Sequence, residues 1–373
     1  MRINISKATF SSIVGIGQKV KKAAKESGNE YLELNRGVNS VVGIDLNKIK
    51  PMIDFNSKEF QLYAPNLGIE SLKSSIIKEY FPAYDKFSDD FSKRISITPG
   101  GMPALDLIIQ TLNVDNIYFP KFYWGSYSKM ATIRNKSFSF YDSLDYFTQP
   151  EKLNSLNEST CIFICDPSNP TGLKLDDFYL VEKIKQIADT GAIIVFDSPY
   201  RKLFFNDNFF QSILHPNVII AESFSKWIGL PGARLGFIYS ENKEFNEELN
   251  IRLLYEFNGI SSPSQILVDK ILSTDEGQEA IFNFRVETTK HIKLNIDYLR
   301  QNGLLVDEIY KGTNPMGIFA IINKSEDFLF QHKIGAVGLD KFVYFEKDTW
   351  SSFSRICVSV NHDLFKKFIS NIL

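Results

Sequence analysis

The stretch SFSKWIGLPGARLGF, from Ser223 to Phe237, sets Lys226 among hydroxyls and glycines and follows it eight positions later with Arg234. A lysine that only needs solvent has no use for that company. Lysine becomes chemically special when its amine is kept partly unprotonated, because it can then form a Schiff base with a carbonyl. Upstream of it stand an amide and a carboxylate: Asn169, Asp197, Lys226 and Arg234 are separated by 28, 29 and 8 positions. Taken singly, each has a bland reading. Asn169 suits an Asx-turn before proline, Asp197 a strand-end turn, Arg355 a surface ion pair and Trp124 a place in the core. Their joint order and spacing favour one site over four coincidences.

The elements that must position these side chains are legible as runs. From about Lys93, apolar runs alternate with helical patterns: RISITPGG, ALDLIIQTL, NIYFPKF, TCIFICD, YLVEKIKQIAD, AIIVFDSPY and NVIIAESFSK. Strands rich in β-branched residues, separated by helix-length segments, predict βαβ units around a mostly parallel sheet. The polar punctuation TPGGMPA, CDPSNPTG, FDSPYR and ESFSKWIG follows such runs, so four loops are expected at strand ends, where open α/β sheets bind ligands. After Ser262 the pattern changes to long helical stretches, then short strands at GIFAIIN, KFVYFE and RICVSV, which predicts a smaller α+β domain. The expected division is a large domain over 45–265 and a small one over 1–44 and 266–373, packed tightly.

At the start, lysines and serines without an acid until Glu26 have some likeness to an organellar transit peptide. Phe10, Ile13, Val14, Ile16, Val20 and Ala23 nevertheless recur at helical spacing, and an ordered amphipathic helix is expected. The Gly15–Gly17 pair follows no strand and carries no dinucleotide fingerprint.

Composition narrows the function classes. The chain has 373 residues, 44% hydrophobic, with 42 basic against 44 acidic side chains. It can bury a large core, and its balanced charge offers no footprint for nucleic acid or an anionic membrane. Without an apolar run long enough to span a bilayer it reads as soluble. Cys161, Cys165 and Cys357 are too scattered for a disulfide framework, and His215, His291, His332 and His362 have no ligand spacing, so a reducing, cytoplasmic setting without a metal is expected.

A lysine of this kind fits a pyridoxal phosphate site, which also needs a phosphate cradle, an acid for the pyridine nitrogen, donors for the ring oxygen, an aromatic lid and a cation for the substrate carboxylate. The residues Ser223, Ser225, Lys226, Gly229, Leu230, Gly232, Arg234 and Gly236 resemble the lysine motif of the class I/II aminotransferases, pyridoxal phosphate enzymes of fold type I. The resemblance covers nearly the whole chain. It implies that Lys226 forms the Schiff base and that Ser223 and Arg234 bind the phosphate, together with backbone amides at Gly101 and Met102. It implies further that Asn169 and Tyr200 donate to the ring oxygen and that Asp197 meets the pyridine nitrogen. Trp124 lies in a segment resembling the ring-stacking one, with Phe122 or Tyr123 as alternatives there.

By the same resemblance Arg355 grips the substrate α-carboxylate, with Asn169 and Gly37 also at the substrate. Tyr63 would reach the phosphate of the other subunit, implying a homodimer with shared sites. The implied activity is amino transfer between an L-amino acid and a 2-oxo acid, with a lyase, decarboxylase or oxidase of the same fold as the alternative. A non-catalytic ligand-binding protein of this fold is a further, remoter one. Arg252, in NIRLLYEF, is the one basic residue near a segment that could read a distal carboxylate, but its pattern favours a helix surface charge.

Overall fold

The computed structural model describes residues 11–82 and 89–373; Phe10 of the expected first helix lies outside them. A central seven-stranded sheet runs in the order β2-β8-β7-β6-β5-β3-β4, once Leu32–Glu33 is taken as β1 and the sheet strands as β2 (Ile95–Thr98), β3 (Asn116–Pro120), β4 (Phe138–Tyr141), β5 (Thr160–Cys165), β6 (Ile193–Asp197), β7 (Val218–Ser223) and β8 (Gly236–Ser240). All neighbours are parallel except β8, which is antiparallel to both β7 and β2. The mostly parallel α/β expectation therefore holds.

β5, β6 and β7 are buried along almost their whole length, which is why TCIFIC, IIVFD and VIIAES read as continuous apolar runs and not as alternating ones. The register aligns their carboxyl ends: Cys165 pairs with Asp197, and Asp197 with Ala221. The reversed β8 starts where β7 stops, with Gly236 opposite both Ser223 and Thr98. The loops after β2, β5, β6 and β7 thus collect at one end of the sheet.

A second sheet, β11-β12-β9, is antiparallel and is formed by β9 (Phe319–Ile322), β11 (Val337–Gly338) and β12 (Ser354–Cys357). β10 (Ile334–Gly335) pairs in parallel with β1. KFVYFE, expected as a strand, is not one: Leu339–Phe342 forms a 3-10 turn and Val343–Glu346 continues irregularly. The Phe342 carbonyl accepts from the Tyr123 amide at 3.0 Å, and Tyr344 stacks on Phe140 at 4.9 Å. Its alternating apolar residues serve the large sheet's edge and not a ladder of their own.

The helical stretch after Ser262 is two helices, Ser262–Ser273 and Asp275–Gln301. The second anchors the segment after β12 (Ser354–Cys357), since Asn295 Nδ2 donates to the Val358 and Val360 carbonyls at 2.9 and 2.8 Å. The expected first helix spans Ser12–Ser27 and ends on left-handed Gly28. After it, Leu34 bonds to both β10 and β12: Leu34 N donates to Gly335 O, and Leu34 O accepts from Cys357 N. No helix among the described residues is long and apolar enough to cross a membrane.

Candidate active site

Asp197 closes β6 and is buried. Burial pushes its carboxyl up to about 7, opposed by the hydroxyl of Tyr127, which donates to Asp197 Oδ2. Three residues on, the Tyr200 hydroxyl accepts from Asn169 Nδ2 at 3.4 Å. Asn169 Oδ1 in turn accepts from Arg355 Nη1 at 3.1 Å. Asn169 reaches that position on the loop after β5, in which the Asp166–Pro167 and Asn169–Pro170 peptides are cis.

Arg355 is only 2% exposed. Its Nη2 donates to the Asn35 carbonyl, its Nε has no partner among the described residues, and its guanidinium sits 4.1 Å from the ring centroid of Phe319 and 4.6 Å from that of Phe342. Burial lowers it to about 10, which still leaves it charged at neutral pH. A buried guanidinium with an unused N–H is an arrangement made for an incoming anion.

A second corner lies where β7, β8 and the helix Gly101–Thr111 meet. Ser223 Oγ caps the turn after β7, accepting from Ser225 N at 3.2 Å. Gly236 is needed there, because a Cβ on it would stand 2.4 Å from the Glu222 carbonyl and 3.2 Å from Gly101 N. Gly100 has φ 105°, and a Cβ on it would come within 2.9 Å of Arg234 Nη2. Glycines therefore let a helix N-terminus, a serine hydroxyl and an arginine approach one point, which is the composition of an anion cradle. Arg234 itself is left-handed, at φ 50°, and Nη1 donates to Pro231 O at 3.1 Å.

Lys226 lies between these corners on the short helix Phe224–Trp227, its Nζ donating to the Gly37 carbonyl. Desolvation pushes the amine down to about 8; Arg355, Arg234 and Arg36 push the same way and the Cys357 thiol opposes them. Lys226, Asp197, Asn169, Tyr200, Arg234 and Arg355 line a single cavity of about 360 Å³. Among the described residues no group of His, Cys, Asp and Glu could hold a metal ion.

The family described as aminotransferase class I and II matches residues 30–372. The chain belongs to that family. Aminotransferases with recognisable sequence similarity include the aspartate aminotransferase of Pyrococcus horikoshii, 26% identical over 69% of this chain and 67% of that one. The histidinol-phosphate aminotransferase of Flavobacterium psychrophilum is 28% identical over 45% of this chain and 49% of that one. The aligned stretches thus span from about half to two thirds of these curated relatives. In fold, the Thermus thermophilus aspartate aminotransferase solved with maleate superposes with a TM-score of 0.82 at 16% identity, covering 100% of this chain and 99% of that one.

In this aminotransferase every residue expected at the site lines the one cavity except Tyr63, which is 86% exposed and lies outside it. Gly37, Gly101, Met102, Trp124 and Ser223 are among the lining residues, and Trp124 stands edge-on to Tyr127 at 5.7 Å. Arg252 is spent on Glu248, 2.7 Å away on the same helix. Two features escaped the sequence. Tyr127 and Asp197 are partners 70 positions apart, and only the fold brings them together. Arg36 also lines the cavity; the one signal for it was its place beside Gly37 in LNRGVNS.

Proposed function

We propose that this chain transfers an amino group between an L-amino acid and a 2-oxo acid, using pyridoxal phosphate held in the cavity described above. One observation carries the reading: Lys226, its amine lowered to about 8, faces the same cavity as a buried acid and a buried arginine. The donor set fits the cofactor. Ser223, Arg234 and the start of the Gly101–Thr111 helix suit a phosphate, with Gly100 and Gly101 leaving the room a Cβ would fill. Asp197 suits a ring nitrogen, since a cationic neighbour would favour the carboxylate that burial otherwise disfavours. Asn169 and Tyr200 supply donors for a ring oxygen, and Trp124 a flat face.

When bound, pyridoxal phosphate supplies an aldehyde for the amine and an electron-withdrawing ring that takes up charge from the substrate Cα. The protein does the rest. Arg355 binds and orients the α-carboxylate, helped by Asn169 and the Gly37 segment. Lys226, once free, is the base that moves the proton at Cα; near pH 8 its neutral form is well populated. The second half-reaction uses the same groups in reverse on an oxo acid.

The exposed Tyr63 supports a homodimer in which it reaches the cofactor phosphate of a second copy. The division into a large domain over 45–265 and a small one over the remainder belongs to the same reading, as does a cytoplasmic setting, supported by three free cysteines. The test is Lys226→Ala. It should still bind pyridoxal phosphate but lose amino transfer, and near-normal turnover in that variant would refute the assignment.

A further inference from the structure

The cavity holds four cations, Arg36, Lys226, Arg234 and Arg355, against one carboxylate lining it, Asp197. Under the function proposed above, on which this inference rests, three of the four have work: Lys226 on the carbonyl, Arg234 on the phosphate and Arg355 on the α-carboxylate. Arg36 has none. Its guanidinium has no hydrogen-bond or ion-pair partner among the described residues; only its backbone carbonyl is engaged, accepting from Val38 N at 2.9 Å. Nor is it remote from the chemistry. Asn35 on one side accepts from Arg355, Gly37 on the other accepts from Lys226, and Arg36 adds to the charge that lowers the Lys226 amine.

We propose that Arg36 is a specificity-determining residue that receives a second anionic group, so that the substrate is an amino acid with an anionic side chain. Of the four cations lining the cavity, Arg36 is the one that the carbonyl, the phosphate and the α-carboxylate leave unused, so it is the charged donor open to a second anion. Arg36 is exposed and Arg355 buried, and both line the one cavity, so a substrate that takes Arg355 with its α-carboxylate leaves Arg36 for a second anionic group. The backbone is held on both sides of Arg36, by the bonds of Leu34 to the β10 and β12 strands and of Ser40 to Ser359, so its Cα is fixed beside the cavity that its side chain lines. A carboxylate and a phosphate share the chemistry that recognises it, a planar fork of charged N–H donors.

The experiment compares each anionic substrate with its neutral isostere in the loaded enzyme: L-aspartate with L-asparagine, L-glutamate with L-glutamine, and O-phospho-L-serine with L-serine. The expected preference for the anion falls roughly 10- to 100-fold in kcat/KM in Arg36→Met, mostly through KM, and is partly kept in Arg36→Lys. Which pair shows the larger effect distinguishes a carboxylate from a phosphate. As a readout without turnover, calorimetric binding of succinate against butyrate should lose its preference for succinate in Arg36→Met. An unchanged anion preference in Arg36→Met, or a wild-type enzyme that takes the neutral partners equally well, overturns the proposal while leaving amino transfer standing. Selective succinate binding that depends on Arg36, with no amino acid converted, would instead support the subsite and refute amino transfer.

Discussion

Tyr127, on the helix Ser126–Ile133, donates its hydroxyl to Oδ2 of Asp197 at the end of β6, and both are buried. It is the one hydrogen bond opposing the desolvation that raises the Asp197 carboxyl to about 7. Tyr127→Phe should therefore raise that value further and weaken pyridoxal phosphate binding by roughly 10-fold, the cost of leaving a buried acceptor unmatched. Titration of cofactor affinity against pH in both proteins would show it, with the Phe variant requiring a higher pH for half-maximal affinity.

The same carboxyl makes the cofactor-free protein sensitive to pH. A folded value above the ordinary 3.8 means that the native state holds the proton more tightly than the unfolded chain between 3.8 and about 7. Stability contributed by this group must therefore fall as pH rises through that window and level off above it. Asp197→Asn should flatten the dependence and leave the cofactor-free protein more stable than wild type at pH 8, measured by urea unfolding across the pH range.

Arg355 and the cavity it serves predict a sharp response to conservative change. Lysine cannot reproduce the fork, and the carbonyls of Asn35 and Asn169 that receive two of its N–H groups would lose donors. Arg355→Lys should lower kcat/KM by roughly 100-fold, with KM rising and the absorbance of bound cofactor unchanged. Equal kinetics in the two proteins would remove Arg355 from the substrate carboxylate.

Behind the site, Arg201 and Asp166 form an ion pair at 3.3 Å with both side chains fully buried, joining the loop that carries Asn169 to the one that carries Tyr200. Arg201 also reaches Asp177 and Asp207, each at 2.8 Å. Arg201→Met would strand the Asp166 carboxyl, already pushed up to about 6 by burial, and should cost about 3–5 kcal/mol of stability. Chemical denaturation measures it; the cost should shrink below pH 6, where that carboxyl is neutral.

Much of this site could be read from the chain because its chemistry is carried by local signals. Lys226 and Arg234 share one turn, and Asn169 and Asp197 each follow an apolar run that had to be a buried strand. What escaped depended on contacts without a local signature. A lone arginine in a loop, such as Arg36, looks like any surface charge until the fold sets it in a cavity. The KFVYFE segment has strand-like alternation, yet its rings pack onto Phe140 and its backbone bonds to Tyr123, so tertiary contacts override the pattern. Tyr63 faces solvent in a single copy of the chain, and only the family resemblance of its segment, not its own pattern, says what lies against it.

The most direct test of the central claim is the absorption spectrum of the purified protein with pyridoxal phosphate, followed through additions of single amino acids and then of a 2-oxo acid. Amino transfer through Lys226 predicts a visible band that an amino acid converts to the pyridoxamine form and a 2-oxo acid restores, with the band altered and the conversion lost in Lys226→Ala. A band that forms but never converts, or a protein that binds no cofactor at all, would contradict it.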